Sequence, residues 1–225
     1  MEILELMRQR HSVRQYKAQA ISSDIVEALQ NEIALCNSQS GLNIQLATNE
    51  PKAFDGFMAH YGKFYGVQNY IALIGKRNRD LQPLAGYYGE RLALRAQELG
   101  LNTCWVAMTY SKGKCGVKLE KGEKIECVIA LGYGETQGVS HKVKSIEELC
   151  SVDGEMPDWF ERGMKCAQLA PTAVNQQKFH FAYSDGKVHL KNKGGFFSKI
   201  DLGIVKYHFE IGAGKENFTW GAIEY

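Results

Sequence analysis

Arg10-His11-Ser12-Val13-Arg14-Gln15-Tyr16 is the stretch from which the rest of this 225-residue chain is read. Two guanidiniums and a hydroxyl fall within five residues. Arginine presents a planar fork of donors that suits a phosphate, and a neighbouring serine adds a further hydrogen bond to the same group. The stretch follows a short amphipathic run, Glu2 to Met7, in which Ile3, Leu4, Leu6 and Met7 share one helical stripe. An anion site after an N-terminal helix is one reading, and a solvated basic face is the other.

Composition narrows the function classes. With 27 basic and 25 acidic residues and a net charge of +2, the chain lacks the basic excess of a general polyanion binder, so no nucleic-acid partner is expected. Its length is enough to bury a sizeable core. Six cysteines (Cys36, Cys104, Cys115, Cys127, Cys150 and Cys166) are spread without a Cys-x-x-Cys pair or zinc-ligand spacing, which reads as reduced thiols and no metal site. Residues 1–20 lack an apolar h-region and no eighteen apolar residues run together, so the expectation is a soluble cytoplasmic protein without a membrane partner.

Outward from the opening stretch, cap-type residues at Ile21-Ser22-Ser23-Asp24 predict a helix over 23–35, broken by Asn37 to Gly41. Alternation over Leu42 to Thr48 predicts a half-buried strand, and Val67 to Ile74 a central one. Residues 51–63 stay ambiguous. A stripe of Tyr88, Leu92, Ala96 and Leu99 predicts a helix over 86–101, followed by an apolar turn into Thr103 to Ala107. Further elements are a strand at Cys127 to Leu131, a helix over 158–169, a hairpin of 179–183 and 188–190 around Ser184-Asp185-Gly186, a helix over 201–212 and a strand over 218–224. Asp153-Gly154-Glu155-Met156-Pro157 reads as a linker, which divides the chain into halves 1–152 and 153–225. The halves repeat weakly: helix, loop and strand at 24–48 echo 158–183, and helix, glycine and tryptophan at 86–105 echo 201–220.

Several fragments together resemble the FMN-dependent nitroreductase family. Arg-His-Ser-x-Arg-x-Tyr at 10–16 is similar to its phosphate signature. Leu99-Gly100-Leu101-Asn102-Thr103-Cys104-Trp105 is similar to its Leu-Gly-x-x-Thr-Cys-Trp turn, and Ala130-Leu131-Gly132-Tyr133 to its closing strand. His141 to Glu148 resembles its Lys-x-Arg/Lys segment, and Ala170-Pro171-Thr172-x-x-Asn175-x-Gln177 its Ala-Pro-Ser-x-x-Asn-x-Gln loop. The resemblance implies an α+β nitroreductase-like fold, with mixed, mostly antiparallel sheets flanked by helices. One departure stands out. The family's loop follows the first helix directly, whereas here Cys36 to Gly41 holds that place and the loop comes after residue 169. Usual members are obligate dimers with FMN at the interface, so the altered order implies a single-chain pseudo-dimer of two pseudo-repeated halves with one complete FMN site. A homodimer is the alternative.

The resemblance also assigns roles. Arg10, His11 and Ser12 belong to the phosphate motif, with Lys142 and Lys144 as further cations. Arg14 falls near the ribityl chain and pyrimidine edge, where a cation stabilises charge that builds on reduction. Pro171, Thr172, Asn175 and Gln177 contact the ring or the ribityl hydroxyls. Trp105 and Val106 wall the pocket, and the amide near Ala107 or Met108 faces flavin N5. No catalytic acid–base side chain is identified, and Cys104 receives no role. The implied reaction is ping-pong hydride transfer from NADH or NADPH through FMN to a small electron-poor acceptor, a nitroaromatic or a quinone. The alternative is a flavin-binding protein of the same fold without that turnover or with a different acceptor. A nucleotide site at Gly212-Ala213-Gly214-Lys215 is disfavoured, because the string follows a helix and lacks P-loop spacing.

Overall fold

A computed structural model describes residues 3–225; Glu2, the start of the expected N-terminal run, lies outside the described residues. In chain order the first elements are α1 (Ile3–Gln9), α2 (Ser23–Ser40), β1 (Gln45–Ala47), α3 (Phe57–Tyr61), β2 (Asn69–Lys76), α4 (Leu81–Glu98), β3 (Asn102–Val106) and β4 (Glu123–Gly132). They are followed by α5 (Ile146–Leu149), β5 (Cys150–Val152), α6 (Asp158–Ala167), β6 (Phe179–Ser184), β7 (Lys187–Asn192), α7 (Ser198–Ala213) and β8 (Thr219–Glu224). Two compact units result: a first of residues 9–81 and 91–140, and a second of the described residues before 9, 82–90 and 141–225. The linker expected near residue 153 falls inside the second unit, between β5 and α6.

The first unit is built on an antiparallel sheet in the order β1-β2-β4-β3. The continuous apolar run Tyr70 to Ile74 becomes an interior strand buried from Asn69 to Gly75, because a strand covered on both faces has no polar side to alternate. Tyr70, Ala72 and Ile74 pack with Val128 and Ala130 of β4 and with Phe54 and Phe64. α2 runs five residues beyond the expected 23–35. Ser38 and Ser40 donate back to the carbonyls of Leu35 and Cys36 at 2.9 and 2.7 Å, so the polar residues stay helical until Gly41 adopts φ 69°. β1 is correspondingly shorter than the expected 42–48. α4 starts five residues earlier than expected, since Pro83 lies in the first turn, where no helical N–H bond is required.

The second unit holds the sheet β5-β6-β7-β8, with β6 and β7 antiparallel and the outer pairings parallel. Among the described residues, antiparallel pairs make up four of the six strand pairings. Asp185 and Gly186 both have positive φ, 51° and 70°, the requirement of a two-residue type I′ hairpin. Phe160, Phe181, Phe209 and Trp220 form an aromatic core, with Phe181 and Phe209 stacked at 4.5 Å. Residues 82–90 of α4 cross α7 at a pair of glycines: a Cβ on Gly86 would lie 2.0 Å from the Ile200 carbonyl oxygen, and one on Gly203 2.1 Å from that of Pro83. The two backbones touch there, and neither position accommodates a side chain. Close by, fully buried His208 donates from Nδ1 to the Cys166 carbonyl at 2.9 Å and pairs through Nε2 with Glu90 at 2.8 Å.

The short α5–β5 segment is absent from the sequence expectations. Ser145 and Glu148 form a capping box there, which nucleates a helical turn inside an otherwise polar stretch.

Candidate functional site

In the first unit, Arg10 to Tyr16 runs as an irregular strand fixed by its main chain. Val13 N–H donates to Thr103 of β3 at 3.0 Å, Tyr16 N–H to Tyr65 at 3.0 Å, and Tyr65 N–H returns a bond to Arg14 at 3.0 Å. Lys17 and Glu135 N–H close the end against Tyr133 and Gln15, at 2.8 and 2.9 Å. Val13 and Tyr16 are the buried anchors, and the Tyr16 hydroxyl donates to the Val13 carbonyl at 2.6 Å. Alternation then leaves Ser12 and Arg14 exposed on the opposite side.

Three motif side chains converge beside β3. Burial pushes the Cys104 thiol up, while Arg14, a hydrogen bond from Ser12, and Arg10 act on it in the opposite direction. All three therefore lie within electrostatic reach of the same sulfur, which the net upward shift keeps as a thiol; Cys104 is no thiolate nucleophile. Arg10 is only 2% exposed, so its charge acts from beneath the surface, whereas Arg14 reaches outward with its guanidinium carbon 5.9 Å from the Phe64 ring centroid. His11 is half-buried, with the Gly138 backbone packed against it. At the end of β3, Trp105 is half-buried, Val106 is buried, Ala107 is half-buried and Met108 is exposed.

In the second unit, Lys142, Lys144, Thr172, Asn175 and Gln177 are also brought together, but mostly to hold one another. Gln177 Nε2 donates to the Lys142 carbonyl at 2.9 Å, its Oε1 accepts Lys144 N–H at 2.8 Å, and its own N–H donates to the Thr172 hydroxyl at 3.0 Å. Asn175 Nδ2 donates to the same Lys142 carbonyl at 2.9 Å. Lys144 Nζ donates to the Gln177 carbonyl at 3.2 Å. Gln177 is 4% exposed, so its amide is committed to this scaffold. Pro171 is half-buried at the start of the loop.

The loop is strained. Val174, Asn175 and Gln177 have φ of 47°, 54° and 46°, a region that is especially unfavourable for a β-branched residue. Asp201, in the first turn of α7, offsets this: its carboxylate accepts Ala173 N–H at 3.0 Å and Gln176 Nε2–H at 2.7 Å. Burial pushes the Asp201 carboxyl up to about 6, against the pull of those two hydrogen bonds. Asp201 is a site residue that the sequence reading missed; its one local signal is an acid in the first turn of a helix. Among the described residues no helix is long and apolar enough to cross a membrane, and no group of His, Cys, Asp and Glu could hold a metal ion.

A family model described as "Putative TM nitroreductase" matches residues 2–213. Among solved structures, a "putative nitroreductase" from Thermotoga maritima MSB8 is 20% identical, covering 96% of this chain and 85% of that one with a TM-score of 0.65. A "putative nitroreductase in complex with FMN" from Desulfovibrio desulfuricans is 18% identical over 70% of this chain and 99% of that one, TM-score 0.52. A "Nitroreductase Family Protein" from Streptococcus pneumoniae TIGR4 is 15% identical over 65% and 98%, TM-score 0.52. These likenesses establish the fold. A comparison with curated proteins finds no match.

Proposed function

The chain belongs to the nitroreductase family, and from that premise we propose that it is an FMN-dependent oxidoreductase drawing electrons from NADH or NADPH. The observation that carries this reading is the convergence of Arg10, Ser12 and Arg14 beside β3. Two guanidiniums and a hydroxyl are a donor set that fits a phosphate monoester close to two negative charges. A solved relative in fold is described as a complex with FMN.

Ser12 and Arg14, both exposed, would bind the phosphate and the adjoining chain, with buried Arg10 adding charge from below. The amide after Val106 would orient the ring at N5. In the second unit, Gln177 and Lys144 hold the 171–177 loop in form, with Pro171 at its start. When bound, FMN supplies two-electron chemistry, accepting a hydride from the nicotinamide and reducing a nitroaromatic or quinone. The residues bind, orient and exclude water; none is required to carry a proton.

We further infer one FMN per chain, in a single-chain pseudo-dimer. Two crossovers support this, β2–α4–β3 and β7–α7–β8, each returning a helix to a parallel strand, as does the reciprocal Gly86–Gly203 contact of their helices. Anaerobic addition of NADH, then NADPH, to the flavin-loaded protein tests the activity. Bleaching of the flavin band and its return with a quinone are expected; a band that resists both nicotinamides would contradict the assignment of donor.

A further inference from the structure

Phe64 belongs to none of the motifs discussed above, yet its ring lies against one of them. It is 3% exposed while its neighbours Lys63 and Tyr65 are exposed, so the turn after α3 points this one side chain inward. The ring meets that of Phe54 at 5.4 Å between centroids and shares the core of the first unit with Tyr70, Val128 and Ala130. The Arg14 guanidinium carbon stands over the same ring, 5.9 Å from its centroid, within the reach of a cation–π contact.

The main chain fixes this pairing. Phe64 N–H donates to the Ala59 carbonyl at 2.9 Å, and Lys63 before it turns the chain at φ 62°. One residue on, Tyr65 N–H donates to the Arg14 carbonyl and the Tyr65 carbonyl accepts Tyr16 N–H, both at 3.0 Å. Gly66 then touches the Tyr16 carbonyl: a Cβ there would lie 2.2 Å from its oxygen. Ring and guanidinium therefore arise from two backbones locked in one register. In the same conformer Arg14 lies within electrostatic reach of Cys104, as do Ser12 and Arg10, so the contact with Phe64 keeps the guanidinium near the rest of its motif.

We infer that Phe64 is a positioning residue of the flavin site, its ring presetting the Arg14 guanidinium for FMN; the inference rests on the reading of Arg10 to Tyr16 as that site. A solvent-facing arginine loses rotamer freedom when it takes a ligand. A ring that already holds the guanidinium removes part of that cost before the ligand arrives. An aliphatic side chain would fill the core equally well but offers the cation no negative face, and phenylalanine does both. A contact of this kind at an exposed guanidinium is worth about two- to fivefold in affinity.

Graded fluorination of the ring is the test, since it drains the ring face of negative charge at nearly constant shape and so spares the core. Mono-, di- and trifluorinated phenylalanine are placed site-specifically at position 64, with Arg14 intact and in Arg14→Ala. FMN is titrated into each chain, and nuclear Overhauser contacts between the ring and the Arg14 side chain are recorded without flavin. With Arg14 intact, the Kd for FMN should rise stepwise, reaching about threefold in the trifluorinated chain, while the contacts weaken in parallel; in Arg14→Ala the Kd should not respond to fluorination. A Kd that stays level or falls along the series overturns the inference, as does an equal rise in Arg14→Ala or the absence of ring-to-Arg14 contacts in the unsubstituted chain. Should the unsubstituted chain take up no FMN, it is the flavin assignment that fails; weakening of the contacts along the series then supports the positioning of Arg14 by Phe64, and their constancy overturns it.

Discussion

The segment 10–16 and the loop 170–177 carry complementary pieces of one motif set, yet they are held in place by different parts of the chain. The first is fixed by its main chain, through bonds to Thr103, Tyr65 and Tyr133, so Ser12 and Arg14 remain exposed. The second is fixed by its own side chains: Thr172, Asn175, Gln176 and Gln177 bond to one another, to the 142–144 backbone, and to Asp201. Polar motif side chains stay exposed in one place and serve as scaffold in the other. A motif amide is therefore a weaker sign of ligand contact than a motif guanidinium on a backbone-pinned strand.

The largest effect should come from breaking the scaffold loop. Gln177→Ala removes bonds to Lys142 and Lys144 from a buried position and should cost about 3 kcal/mol, lowering the Tm of the flavin-free protein by roughly 6–12 °C in calorimetry. Asp201→Asn should act through pH. A carboxyl whose folded-state value is raised to about 6 contributes stability that is complete below the ordinary aspartate range and is lost as pH rises through about 6. Wild-type stability from urea unfolding should therefore fall by about 2 kcal/mol relative to the variant between pH 4 and pH 7; parallel curves would show that burial does not raise the Asp201 carboxyl.

At the backbone-pinned segment the signature reverses. Arg14→Ala should weaken FMN binding by about tenfold while leaving the Tm of the flavin-free chain nearly unchanged, as expected for an exposed side chain. A large Tm loss there would erase the contrast between the two regions. The smallest effect is Val174→Gly: relief of a β-branched residue at φ 47° should stabilise by about 1 kcal/mol or less, seen as a Tm rise of a few degrees.

What the sequence revealed follows the range of the interactions. β2 was legible because Tyr70 to Ile74 is a continuous apolar run, and the Asp185-Gly186 turn because its geometry is set by two adjacent residues. Arg10, Ser12 and Arg14 were legible as a local cluster, but their placement beside Cys104 depends on the pairing of Ser12 with Thr103 of β3. The end of α2 was misplaced because serines that usually break helices bond back into this one. Asp201 and the buried role of Gln177 were hidden because their partners come from elements distant in sequence.

The most direct test of the account is an equilibrium titration of FMN into the purified chain, with bound flavin counted against protein. Saturation at one FMN per chain, shifted to higher concentration by Arg14→Ala, is the predicted result. No uptake, or two equivalent FMN per chain, would contradict it.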